Sequence, residues 1–207
     1  MRVRVPYSRD TMSNEQTKLS EDRLHTFERE HIVVEDFDAS GFILDLGGGG
    51  EGIIGLLKGS QVVAVDTSRR ELEEAAEGPL KIVMDARDLQ FLDGAFEVVT
   101  AFFTLMYVDA EDHEPVFEEA FRVLSPGGRF LIWDVEIPPR PEEGKDVAVF
   151  PLSVHLPTGE VDTGYGTSWP SHPASLDHYV ELAERVGFDV VERDRKGRRV
   201  YLELRKR

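Results

Sequence analysis

Five short apolar runs set what this chain can fold into: residues 42–46, 61–65, 80–84, 97–103 and 129–135. A strand with one wet face alternates apolar and polar side chains, whereas these runs are closer to continuous, as suits strands covered on both faces in a parallel sheet. Helix signals fall between them. Ser68 and Glu71 form a capping box ahead of Leu72, Ala75 and Ala76. Phe117, Ala120, Phe121 and Leu124 recur at helical spacing and are stopped by Ser125-Pro126-Gly127-Gly128. Ser175 can cap a helix bearing Leu176, Tyr179, Val180, Ala183 and Val186, which Gly187 would close. The end breaks the rhythm: residues 188–192 and 199–204, joined across Lys196-Gly197, have the spacing of a β-hairpin. The expected fold is α/β, a parallel sheet finished by an antiparallel strand.

Two segments stand outside this pattern. Residues 1–40 read as a polar, acidic extension with one short helix over 20–31, where Leu24 and Phe27 lie three apart. Residues 136–173 hold seven prolines yet are apolar over 147–154, and read as an inserted strand-and-loop excursion within a domain spanning 41–207.

Composition narrows the function classes. A net charge of −16 repels nucleic-acid phosphate and anionic lipid. The basic C-terminal run from Arg193 to Arg207 reads as a solvated strand pair. With no cysteine there is neither a disulfide framework nor a thiolate site. His155, His172 and His178 are irregularly spaced, so no metal is expected. No apolar run approaches the roughly 18 residues of a membrane span, and residues 1–10 lack the apolar middle of a signal peptide. A soluble, cytoplasmic protein is the expectation, with a homodimer left open.

The chemistry gathers at strand ends. Asp45-Leu46-Gly47-Gly48-Gly49-Gly50-Glu51-Gly52 follows the first run directly and precedes a helix. Glycines let the backbone turn sharply and approach a ligand, and a helix start offers N–H groups. Asp66 ends the second run, where a carboxylate can accept bonds from ribose hydroxyls. Asp45 sits where a pyrophosphate would be repelled and an ammonium attracted. Asp85-Ala86 ends the third run, within reach of an adenine amine. Each Asp alone is also an ordinary turn residue; three beside one glycine loop suit a ligand with a cation, a ribose and an adenine.

These segments resemble class I S-adenosylmethionine (SAM)-dependent methyltransferases. The resemblance rests on FILDLGGGG, VVAVDTS, MDARDLQFLDGAFEVVTAFFTLMYV and RVLSPGGRFLIWDV. It implies a Rossmann-like doubly wound sheet of seven strands, the last antiparallel, with SAM as cofactor at the carboxyl ends. It further implies that Asp45, Gly47, Gly48 and Gly49 meet the methionine part, Asp66 and Thr67 the ribose, and Asp85 and Ala86 the adenine, with backbone at Ala101 and Phe102 closing the pocket. Two departures stand out. Glu51 replaces a small residue of the motif, and Leu105-Met106-Tyr107 stands where many small-molecule members carry a histidine.

Methyl transfer is an in-line displacement that positioning can largely carry, so the lack of an obvious base does not exclude it. Candidates facing a small-molecule acceptor are Tyr107, Trp133, His155, Tyr165, Trp169 and His172, all of types that also serve as packing. Two rivals remain at this level: a SAM-binding module without transferase activity, and an NAD-dependent oxidoreductase, which Asp45 disfavours.

Overall fold

The computed structural model of the chain describes residues 3–4, 23–140, 144–170 and 174–207. Strands β1 (Val3–Arg4), β2 (Leu24–Thr26) and β3 (Glu30–Val33) precede the first apolar run, which becomes β4 (Ile43–Leu46). The chain continues through α1 (Ile53–Lys58), β5 (Val62–Asp66), α2 (Arg69–Glu74), β6 (Leu80–Val83) and β7 (Phe96–Phe102). After a 3-10 turn at Leu105–Tyr107 come α3 (His113–Val123) and β8 (Leu124–Val135). Then follow β9 (Val147–Leu156), β10 (Gly159–Ser168), α4 (Leu176–Val186), β11 (Phe188–Lys196) and β12 (Arg199–Lys206).

These elements form two compact units, one from residues 37–136 and 174–207, the other from 1–36 and 137–173. The first holds a seven-stranded sheet in the order β11-β12-β8-β7-β4-β5-β6. Strands β4 to β8 are parallel, and β12 runs antiparallel to both β8 and β11. The parallel sheet expected from the runs is therefore present, with β12 as its antiparallel member, and it has the seven strands that the resemblance implied. Every residue of β4 and β5 is buried, which is why those runs do not alternate.

Local signals explain the helices. The Ser68 hydroxyl accepts the Glu71 N–H at 3.3 Å and starts α2. The Ser175 hydroxyl does the same for His178 at 3.2 Å in α4, which Gly187 ends at φ 113°. Ala75 and Ala76 fall beyond the end of α2. Pro115 lies in the first turn of α3, where its missing N–H costs nothing. Helix α3 stops at Val123 and β8 begins at once. Residues 125–128 bulge out between the pairs Phe96↔Leu124 and Val98↔Arg129.

The second unit differs from expectation. Residues 24–33 form β2 and β3 rather than the helix read over 20–31, of which 20–22 lie outside the described residues. Both strands pair in parallel with β9, over Leu24↔Val147 to Thr26↔Val149 and Glu30↔Leu152 to Val33↔His155. Two apolar residues three apart were thin support for a helix, and long-range pairing overrides so weak a local preference. The apolar stretch of the insert is likewise a full strand. It joins β10 through a two-residue connection, Leu156↔Gly159, and β10 pairs with β1. Pro151 falls where the parallel partner of β9 is interrupted, a place where a residue without an N–H is tolerated.

Phe130 is fully buried in the core of the seven-stranded unit. Its ring packs edge-on to Phe117 at 5.5 Å and against Phe188 at 6.2 Å. Phe130→Ala is expected to lower unfolding free energy by about 3–5 kcal/mol, measured by urea titration. A loss under about 1 kcal/mol would mean the site is not close-packed.

Candidate functional site

Strand β4 is the switch point of the sheet: β5 lies on one side of it and β7 on the other, and ligands of open α/β sheets bind in the crevice this creates at the carboxyl ends. The glycine run leaves β4 there. Gly47 and Gly48 both donate to Val65 O, at 2.8 and 3.1 Å, and Gly50 donates to Glu71 O at 2.8 Å, so the loop folds back over β5 and α2. Gly47 has φ 70°, and a Cβ on it would stand 2.5 Å from Thr104 Oγ1. A Cβ on Gly48 would stand 2.6 Å from Asp45 Oδ2, and one on Gly49 would stand 2.9 Å from Asp66 Oδ2. The glycines are thus required by protein packing as well as by any ligand. They let the loop close directly onto two carboxylates.

The first, Asp45, is 2% exposed. Its Oδ1 accepts a hydrogen bond from Thr100 Oγ1 at 2.7 Å. Burial pushes its pKa up to about 7, against the lowering effect of the Thr100 bond, and the nearby Asp66 charge adds to the rise. The second, Asp66, is 5% exposed and accepts the Ser68 N–H on Oδ1 at 2.8 Å, which aims its other oxygen at Gly49. Thr67 beside it is exposed.

Asp85 is placed differently. Arg87 grips it with bonds of 2.7 to 3.2 Å and also reaches Asp112 at 2.6 Å. The Arg87 hydrogen bonds hold the Asp85 carboxyl below its ordinary range. An adenine amine at Asp85 would share it with a guanidinium. Ala86 is half-buried against the core, Ala101 is fully buried on β7, and Phe102 is nearly so. Helix α1, which follows the glycine run, has six residues and a left-handed N-cap at Gly52.

Beyond β7 the chain turns through Phe103, a non-glycine residue at φ 49°. Its N–H donates to Trp133 O at 2.7 Å, and Thr104 Oγ1 donates to Leu46 O at 2.8 Å. Together they wall the glycine loop from the β7 side.

The acceptor candidates do not all converge. Tyr107 is half-buried on the 3-10 turn after β7. Trp133 lies among Phe37, Phe102 and Tyr201, with ring centroids 5.3 to 6.5 Å apart, and is 8% exposed. His155, Tyr165 and Trp169 belong to the other unit. His155 stacks on His31 at 5.9 Å, Tyr165 is half-buried on β10, and Trp169 packs near His25 and Phe27. His172 lies outside the described residues.

Sequence reasoning missed Thr100, Phe103, Thr104 and Asp134. Thr100 and Asp134 left a signal, as polar residues inside or ending an apolar run. Phe103 and Thr104 left none. Among the described residues no His/Cys/Asp/Glu group could hold a metal ion, and no helix is long and apolar enough to cross a membrane.

Residues 44–132 match the family model of a methyltransferase domain. A ubiquinone/menaquinone biosynthesis C-methyltransferase of Desulfotalea psychrophila is 38% identical over 120 residues, covering 53% of this chain and 48% of that one. The demethylmenaquinone methyltransferase of Thermus thermophilus is 35% identical over 111 residues, with coverages of 48% and 49%. The mitochondrial 2-methoxy-6-polyprenyl-1,4-benzoquinol methylase of Xenopus laevis is 32% identical over 155 residues, with 66% and 48%. The chain spans about half the length of these curated relatives. Among solved structures, a SAM-dependent methyltransferase of Methanosarcina mazei superposes with TM-score 0.57 at 18% identity, over 82% of this chain and 94% of that one. One from Thermotoga maritima gives 0.59 at 19%, over 82% and 84%. These likenesses establish the fold.

The raised pKa of Asp45 makes a stability prediction. The folded pKa, about 7, lies above the unfolded value near 3.8. The native state therefore holds the extra proton between these values, and stability is lost as pH rises through them. Asp45→Asn, which cannot ionise but keeps an oxygen for Thr100, should raise the melting temperature at about pH 8 and change it little near pH 4. Equal effects at both pH values in thermal melts would refute the buried, proton-holding assignment.

Proposed function

We propose, for a chain that carries a class I SAM-dependent methyltransferase domain, that it transfers a methyl group to a small ring-bearing acceptor of the quinol type. The observation that carries the cofactor part is the closure of the Gly47–Gly49 backbone onto Asp45 and Asp66 at the switch point. A loop that approaches two carboxylates this closely suits a ligand with a cation at one end and hydroxyls beside it. The acceptor class is suggested by relatives named for quinone biosynthesis at 38% and 35% identity.

Bound SAM would supply an electrophilic methyl on a sulfonium. In our reading this chain's residues do the rest. Asp45, ionised, holds the ammonium of the methionine part against the backbone of Gly47, Gly48 and Gly49. Asp66, oriented by the Ser68 N–H on one of its oxygens, accepts the ribose hydroxyls beside Thr67. Asp85, sharing with Arg87, and Ala86 flank the adenine, and Ala101 and Phe102 close the pocket by their backbone. Transfer to a ring carbon would break the C–S bond of SAM and release S-adenosylhomocysteine, with that carbon's proton passing to solvent. No imidazole is present at Leu105–Tyr107, so orientation and exclusion of water carry the step.

Asp66→Ala should weaken binding of S-adenosylhomocysteine at least about tenfold, the loss of charged hydrogen bonds, while the protein stays folded. Affinity in the wild type should also fall as pH drops through about 7, because protonated Asp45 offers no charge to the ammonium. Calorimetry giving wild-type affinity for folded Asp66→Ala would remove the ribose assignment. The activity is tested with SAM and a 1,4-naphthoquinol or 1,4-benzoquinol bearing an unmethylated ring carbon, kept reduced. The expected product is one methylene heavier, formed in step with S-adenosylhomocysteine. Binding without turnover across both acceptor types would point to a SAM-binding module instead.

Three of the acceptor candidates, His155, Tyr165 and Trp169, lie in the segment that follows β8. Alanine at these positions should raise the acceptor KM severalfold and leave SAM affinity within about twofold, since rings of this kind contribute about 0.5–1.5 kcal/mol per contact. Unchanged acceptor kinetics in all three variants would remove this segment from the acceptor site.

A further inference from the structure

Behind the pocket wall lies a buried polar cluster that the roles above do not use. Asp134, near the carboxyl end of β8, is fully buried. Its Oδ2 accepts the Met106 N–H at 3.1 Å and its Oδ1 accepts the Val135 N–H at 2.7 Å. The Leu105 N–H is a further donor to the same carboxylate. On the other side of the turn, His113 Nε2 lies 3.1 Å from Leu105 O. A carbonyl only accepts, so that nitrogen carries the proton. His113 Nδ1 is then an acceptor, and His178 Nε2, 3.1 Å away, donates to it. One short turn is therefore gripped at both polar ends, its N–H groups by β8 and its carbonyl by α3 and α4.

The residue that enters this turn is Thr104, whose hydroxyl holds Leu46 O and whose side chain fills the space that Gly47 leaves by lacking a Cβ. Before it stands Phe103 in a left-handed conformation, which persists only where its surroundings over-determine it. A buried carboxylate is a costly way to hold a fold, and an apolar core of the same volume is often at least as stable. We propose that Asp134, backed by His113 and His178, is a positioning group that sets the Leu105–Tyr107 turn and, through Thr104, the wall of the glycine loop.

The charges around the cluster are known from each packed element. Tyr179 of α4 lies close to Asp134, with Glu136 nearby. Asp109 and His178 face His113, and Glu181 and Arg185 face His178. Burial dominates throughout. It raises Asp134 to about 7 and lowers both histidines, so near neutrality the imidazoles are neutral while the carboxylate is at its midpoint. Protonation would turn one acceptor oxygen into a donor facing N–H groups, and the turn would loosen on acidification.

The inference rests on the cofactor assignment, so its test carries one readout that does not need the ligand. In the wild type, the backbone amide signals of Leu105 and Met106 should titrate together near pH 7, the midpoint set by Asp134. In Asp134→Asn they should lie upfield and not titrate. At about pH 8, Asp134→Asn should bind S-adenosylhomocysteine at least about fivefold more weakly, the lower range of coupling between sites. His178→Gln, at the half-buried end of the chain of bonds, should move the same signals and the affinity in the same direction by less. It decides the matter if Asp134→Asn does not fold. Leu105 and Met106 amide signals that are the same in the wild type and in folded Asp134→Asn would overturn the clamp. Wild-type affinity in the folded variant would overturn its link to the pocket. A wild-type protein that binds no S-adenosylhomocysteine would instead fail the cofactor assignment, and the positioning role with it.

Discussion

The carboxylate of Asp45, buried under a run of glycines, is the constraint on which the rest of the site depends. Its ionised form is poorly solvated, and one Thr100 hydroxyl offsets only part of that cost. Keeping it there fixes what can surround it. Gly48 must lack a Cβ, because a methyl would stand 2.6 Å from the carboxylate. The same methyl would lie 2.9 Å from the Ala64 Cβ on β5, so that strand too leaves no room for a side chain at Gly48. The register of three strands follows, with Asp45 opposite Ala64 on one side and Thr100 on the other. Slipping either neighbour by one residue would turn the needed side chain to the other face of the sheet.

The same strand pairings link the loop to the far side of the sheet. Leu46 lies opposite Ala101, and Phe102 opposite Trp133. The hydrogen bond from Phe103 to Trp133 O continues that pairing past the end of the regular ladder. Large rings on β7, β8 and β12 (Phe102, Trp133 and Tyr201) fill the layer beneath. Rigid packing there is what allows Phe103 to hold a left-handed backbone at the edge of the pocket.

Much of this fold was legible in the sequence. The continuous apolar runs marked the parallel strands because burial on both faces erases alternation, and the two serine caps and the terminal hairpin follow from chemistry within a few residues. The second sheet was not legible. Residues 24–33 have no strand pattern of their own and pair with β9, more than 120 residues later in the sequence. Such pairing leaves no trace in a local window. The His113–His178 contact is hidden for the same reason, joining two helices 65 residues apart.

Strand-end aspartates show where sequence reading reaches its limit. Asp45, Asp66, Asp85 and Asp134 stand alike at the ends of apolar runs, yet each meets different partners. Asp45 takes one hydroxyl and rises to about 7. Asp66 is turned by the Ser68 N–H so that one oxygen lies against Gly49. Asp85, more open, is drawn into an ion pair by Arg87, a residue two positions on that the sequence displayed beside it. Asp134 accepts the N–H of its neighbour Val135 and the backbone amide of Met106, in a turn 28 residues earlier. A carboxylate already satisfied by amides has little left for a ligand, which sets Asp134 apart as a group that holds the protein's own backbone. The chain nonetheless presents all four as the same signal.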